Sequence, residues 1–200
     1  MKYIISVILL SALFLSCSKE YKMKKEIKKM TETPFCIYTN KMECWRPDSI
    51  IQGNGSNAEF KMIVFSDSTD CTGCYIKQLN LWNDFLYLEK KTKGKFVFMF
   101  IMEVEPTQYN MVYNALREAE LRHSVYLDTL CVFRNNNPQL PESRLFHTFV
   151  VNRDNKAVLV GNPIKNEKIE KMFLTLLTDS LLNNGVARWD EDIIDWCVFD

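Results

Sequence analysis

The sequence predicts an α/β fold in which one mixed sheet is covered by helices on both faces, and three observations predict it. Two runs, FKMIVFS at 60–66 and KFVFMFIM at 95–102, are apolar enough to be strands buried on both sides. Between and after them, apolar residues recur three and four apart, the period of a helix with one buried face. Further on, LFHTFVVN at 145–152 and KAVLVG at 156–161 are separated by the turn residues Arg153-Asp154-Asn155, which predicts a hairpin. The order is strand, helix, strand, helix, strand, hairpin, helix. A right-handed crossover makes the first two long strands parallel neighbours and leaves the hairpin as the antiparallel edge.

Before the fold comes an apolar run from Tyr3 to Leu15 behind one lysine. It is short for a membrane span and right for the apolar region of an export signal. Because it ends in Ser16-Cys17 and not in a small-x-small site, the segment resembles a bacterial lipoprotein signal. Residues 1–16 would be removed and Cys17 acylated, with an uncleaved membrane anchor as the alternative. That places the protein in a bacterial cell envelope, held to a membrane and facing the periplasm or the outside. Residues 17–57 are read as a tether and irregular section. SKEYKMKKEIKKM is a solvated stretch or a first helix near the membrane, and the turn clusters at 46–49 and 52–57 leave room for one or two short strands.

The strand at 60–66 stops at polar Asp67-Ser68-Thr69-Asp70. From Cys71 to Lys91, the apolar positions Ile76, Leu79, Trp82, Phe85 and Leu86, with two lysines near the end, predict one amphipathic helix. The second strand follows Lys93-Gly94. Pro106 opens a second helix, whose apolar face is Tyr109, Val112, Tyr113, Leu116 and Leu121, and which runs through Arg122 with His123 set to meet its last carbonyls. SVYLDTL at 124–130 is a third, shorter strand, Cys131 is core, and 133–143 is a loop. After the hairpin, Ile169, Met172, Phe173, Leu176 and Leu177 mark a helix at 166–183, and 183–200 is an acidic, aromatic tail.

Lys plus Arg number 25 and Asp plus Glu 25, hydrophobic residues make up 47%, and Gly and Pro number six each. That balance excludes a disordered chain and a nucleic-acid-coating protein, which needs a basic excess. About 180 residues after the signal support one core and are too few for two ordinary domains. No Gly-rich phosphate loop or Ser/His/Asp set appears, so no cofactor is expected. Two histidines leave little room for a metallohydrolase, and no metal ligand set is assigned.

The chemistry lies in Cys71-Thr72-Gly73-Cys74, which falls where the first strand passes into the first helix. There Cys71 meets the positive end of the peptide dipoles and unpaired N–H groups, which favour thiolate over the ordinary thiol value of about 8.5. Cys74, one turn on, is placed to attack a mixed disulfide on Cys71 and release the substrate. Asp67 and Asp70 oppose the dipole, or act as caps of the helix. Of the other cysteines, Cys36 and Cys44 either pair or stay free, and Cys197 is left as a free thiol.

The strand at 60–66, CTGC, its helix and TFVVNRDNKAVLVGNP at 148–163 resemble the thioredoxin superfamily, and most closely its membrane-tethered TlpA-like thiol-disulfide proteins, over about residues 58–178. The resemblance implies a three-layer sandwich with a mixed four- to five-stranded sheet, here spanning 58–182. It implies a redox pair at Cys71 and Cys74 and, as partners, envelope proteins carrying dithiols or disulfides. Members of that family place a proline before the hairpin strand, facing the Cys pair; here Phe146 stands there, followed by His147. The departure predicts weaker docking of a substrate backbone and less protection against metal at the pair. The readings set against exchange are a fold kept as a binding module, a soft-metal site of Cys71, Cys74 and His147, and a peroxidase using Ser68-x-x-Cys71.

Overall fold

The computed structural model describes residues 21–48, 58–68 and 72–182. Six strands form one sheet: β1 Glu43–Trp45, β2 Phe60–Ser66, β3 Phe96–Glu103, β4 Val125–Asp128, β5 Thr148–Val151 and β6 Ala157–Val160, in the order β1-β4-β3-β2-β5-β6. β2, β3 and β4 run parallel, β5 lies antiparallel beside β2, and β6 lies antiparallel beside β5 at the sheet's edge. With the Cys pair following central β2 and the hairpin on its other flank, the arrangement is the thioredoxin-like sandwich that the resemblance implies.

Strand alternation divides the core into two layers. Met62, Val64, Phe98, Phe100 and Leu127 face one side, against α2 Thr72–Gln78, α3 Tyr87–Lys91, α4 Tyr109–Glu118 and α6 Glu167–Leu177. Ile63, Phe65, Ile101, Phe149 and Val151 face the other, against the helix at 21–32, which we call α1, and α5 Val132–Asn135.

The sheet has one strand more than expected because Glu43–Trp45 pairs antiparallel with β4 and buries Trp45 at its edge. Over residues 21–45, read as a tether or first helix with room for short strands, the chain forms a helix and a strand that pack on the domain. α5 has four residues and cannot cover the second face, so Ile27, Met30 and Phe35 complete that layer, and Phe35 packs on Phe149 with ring centroids 4.5 Å apart. Cys36 and Cys44 do not pair; both are free thiols.

The helix expected over 71–91 is broken. After α2 the chain tightens to a 3₁₀ turn, Leu79–Asp84, before α3. Residues three apart line up in that geometry, which sets Leu79 and Trp82 on the sheet, Trp82 lying 5.8 Å from both Phe98 and Phe100. Asn83 then reaches sideways, accepting from Arg122 N–H and donating to the Glu120 carbonyl, both at 2.9 Å. α4 ends at Glu118, short of Arg122, because Glu120 turns left-handed at φ 55°. Residues 144–146 form a 3₁₀ turn and not the start of the hairpin strand. Part of the expected 133–143 loop is α5, and Cys131 is half-buried at its N-cap, not in the core. In the hairpin turn, the Asn152 side chain accepts from Asp154 N–H and Lys156 N–H. Asn166 caps α6 by accepting from Lys168 and Ile169.

Candidate functional site

The parallel strands β2, β3 and β4 bring their carboxyl ends to one edge of the sheet, where each apolar run gives way to charge. β2 passes into Asp67 and Ser68, β3 closes on Glu103, and β4 closes on Asp128, which sits opposite Glu103 in the register. Asp67, Glu103 and Asp128 are all buried. Three carboxylates so placed need compensation. Arg134, on α5, supplies it: Nη2 donates to Asp67 Oδ2 at 3.0 Å, Nε reaches Glu103 Oε2 at 3.4 Å, and the guanidinium lies over the Phe65 ring. Asp128 accepts instead from the backbone N–H groups of Val132 at 2.9 Å and Phe133 at 2.7 Å, fixing the first turn of α5.

Ser68 Oγ donates to Glu103 Oε1 at 3.0 Å, which fastens the chain three residues before Cys71. Behind the dithiol segment, α2 runs from Thr72 and buries Ile76, and the 3₁₀ turn after it buries Leu79. The segment is therefore bracketed by a polar anchor on one side and an apolar one on the other. Cys71 and Asp70 lie outside the described residues, as does Cys17; the backbone of Cys74 lies on the first turn of α2. The Asp67 charge, expected to oppose thiolate at Cys71, is met by Arg134. The Ser68 hydroxyl, which only the peroxidase alternative would use, is directed to Glu103.

Cys131 also stands at this edge. Burial pushes its thiol above the ordinary value, Glu103 and Asp128 push in the same direction, and Arg134 partly opposes them.

Phe146 and His147 are both buried at the start of β5. His147 O accepts from Phe65 N–H at 2.9 Å, and its ring stands edge-on to Phe65. Nε2 lies 3.0 Å from the Pro141 carbonyl; a carbonyl can only accept, so that nitrogen carries a hydrogen. Phe146 follows a trans peptide bond and packs into the second layer, among Phe65, Phe133 and Phe149. Among the described residues no group of three or more His, Cys, Asp or Glu is arranged to hold a metal ion.

Sequence reasoning missed Glu103, Asp128 and Arg134. The legible signal was a carboxylate closing an otherwise apolar strand, as in FVFMFIME; its partner on α5 lay in a segment read as loop. It also misplaced His123, which meets no helix end. His123 is fully buried, with Nδ1 2.9 Å from the Ser124 carbonyl and Nε2 3.1 Å from Glu89 Oε1; that carboxylate oxygen also accepts from Phe98 N–H at 2.6 Å. This pair ties α3 to β3 and β4 away from the strand ends.

No family model matches the chain. No curated protein matches it. Among solved structures it is similar to a putative thiol:disulfide interchange protein DsbE from Chlorobium tepidum, at 17% identity and a TM-score of 0.42, with 68% of this chain and 99% of that one covered. The fold assignment rests on the strand order and directions given above.

Proposed function

We propose that the chain is an exported thiol-disulfide exchange protein of a bacterial envelope, lipid-anchored through Cys17, that acts on protein dithiols or disulfides through Cys71 and Cys74. The observation that supports it is the position of CTGC: it follows the central strand at the carboxyl edge of the parallel strands and opens α2. In the reducing direction, Cys71 thiolate attacks a substrate disulfide, forming a mixed disulfide and releasing one substrate thiolate. Cys74 thiolate then attacks the Cys71 sulfur and releases the second. The substrate gains two electrons and two protons, and the chain is left with a Cys71–Cys74 disulfide; oxidation of a dithiol is the reverse.

Arg134 supports this assignment because it offsets negative charge that would hold the Cys71 proton in place. Trapping tests it. Cys74→Ser, expressed in the native envelope and quenched with acid, is expected to accumulate mixed disulfides seen on non-reducing gels, and Cys71→Ser to accumulate none. A folded, exported Cys74→Ser with no adducts beyond those of the double variant leaves the binding-module reading in its place. Anchoring is tested separately: a fatty-acid analogue is expected to label the wild type but not Cys17→Ser.

A further inference from the structure

The outward face of α1 has no role in the fold. Over residues 21–32, Ile27 and Met30 point into the second core layer, and the exposed residues are Tyr21, Lys22, Lys25, Lys28, Lys29 and Glu32. At 100° per residue these six fall on one continuous arc of about 120°, opposite the buried stripe. Tyr21 is 72% exposed at its start. The one acid on the arc, Glu32, is engaged by Lys28 at 3.7 Å, and the arc as a whole carries a net charge of three plus. Charges so clustered repel one another, and nothing in the described fold faces them. A helix docked by its apolar side thus presents lysines that the domain does not need.

Their place in the chain says what they meet. The apolar run Tyr3–Leu15 ends two residues before Cys17, and three residues separate Cys17 from Tyr21. Four peptide steps carry Tyr21 no farther than about 14 Å from Cys17. If the chain is held at a bilayer there, as proposed above, the lysines lie within roughly one or two screening lengths of the headgroups. We propose that the outer arc of α1, centred on Lys22, Lys25 and Lys29, is a docking surface for anionic phospholipid headgroups. The inference rests on the membrane-attachment reading and adds to it an orientation. With α1 against the bilayer, the second face of the sheet is turned toward the membrane and α2 lies on the far layer. The edge that carries Asp67, Glu103 and Arg134 then opens along the membrane plane, toward other membrane-held proteins.

The test is lysine footprinting of the full chain, isolated in detergent and reconstituted into vesicles of phosphatidylcholine, with or without phosphatidylglycerol. Acetylation by a water-soluble reagent is read by mass spectrometry at each lysine. Lys90, Lys91 and Lys171, exposed on the opposite layer, serve as internal controls. The expected result is acetylation about fivefold slower at Lys22, Lys25 and Lys29 in anionic vesicles, unchanged controls, and recovery in high salt. The double variant Lys25→Glu/Lys29→Glu is expected to abolish the protection while keeping the circular dichroism of the wild type. Equal acetylation in both vesicles, or equal protection of the controls, overturns the proposal. Flotation separates the two readings. A chain that floats with both vesicles but shows no footprint keeps its anchor and loses the docking surface. One that floats with anionic vesicles alone keeps the docking surface and loses the anchor, and one that floats with neither loses both.

Discussion

At 3.0 Å from Asp67 and 3.4 Å from Glu103, Arg134 holds together two carboxylates that are 7% and 8% exposed, one just past the end of β2 and one closing β3. Removing it takes away the guanidinium that both buried carboxylates share. Arg134→Met is therefore expected to lower stability by about 2–4 kcal/mol in urea denaturation, the lower end applying because the guanidinium itself is partly solvated. Arg134→Lys restores charge without the planar fork and should recover part of the loss. Cys131 supplies a second measurement at this scale. Its thiol is pushed up chiefly by burial, so the folded state holds that proton more tightly than the unfolded chain does. The stabilisation is complete below the ordinary thiol value and falls as pH rises through the raised one. Iodoacetamide at neutral pH should modify Cys131 more slowly in the folded chain than in urea, and Glu103→Gln should speed the folded reaction. Phe146 also matters at this scale. Its ring belongs to the second layer, so Phe146→Pro is expected to remove packing and lower stability in urea denaturation.

At the scale of elements, β1 is joined to the first turn of α4 by the hydroxyl of Tyr109, which donates to the Glu43 carboxylate. That bond, more than burial, pushes the Tyr109 hydroxyl up to about 12. Its contribution is present below the usual tyrosine value of about 10 and is lost as pH rises through 12. The difference in ultraviolet titration between the wild type and Tyr109→Phe should thus show a midpoint near 12, and Glu43→Gln should bring it down. The Glu89–His123 pair does for α3 what Arg134 does for α5. Glu89→Ala takes the acceptor away from both the Phe98 N–H and His123, at an expected cost of about 3 kcal/mol, with Glu89→Gln milder because an amide oxygen still accepts. Chemical denaturation of the two variants checks the order.

For the whole molecule, the decisive element is α1, the first among the described residues. Ile27, Met30 and Phe35 are each 4% exposed or less. Burying three such side chains is worth about 5–9 kcal/mol, comparable with the total stability of an ordinary domain. A chain beginning at residue 58 should accordingly fail to fold as a single cooperative unit. Circular dichroism and binding of a hydrophobic dye to the exposed Ile63, Phe65 and Phe149 face would show it; a sharp native-like transition in that fragment would refute the assignment of α1 to the core. The fold is thus wider than the segment that resembles the thioredoxin superfamily, and its extra width lies on the face turned toward the proposed membrane surface.

Local sequence was enough for what depends on neighbours along the chain. FKMIVFS and KFVFMFIM had to be buried strands because no other element hides so continuous an apolar run in so few residues, and Asn152 to Asn155 had to turn because their side chains and backbone favour it. The position of CTGC between strand and helix followed from the same patterns. What tertiary structure decided was every feature made by residues far apart. Trp45 completes the sheet only because β4 offers a free edge. Ile27 and Met30 read as part of a tether or a first helix, and they become core because a four-residue α5 leaves the second face open. Arg134 belongs to no motif, and it becomes part of the site because parallel strands end together and bring Asp67 and Glu103 within reach of one guanidinium. Periodicity records which face of an element is apolar; it carries no information about which distant residue will cover that face or neutralise its charges.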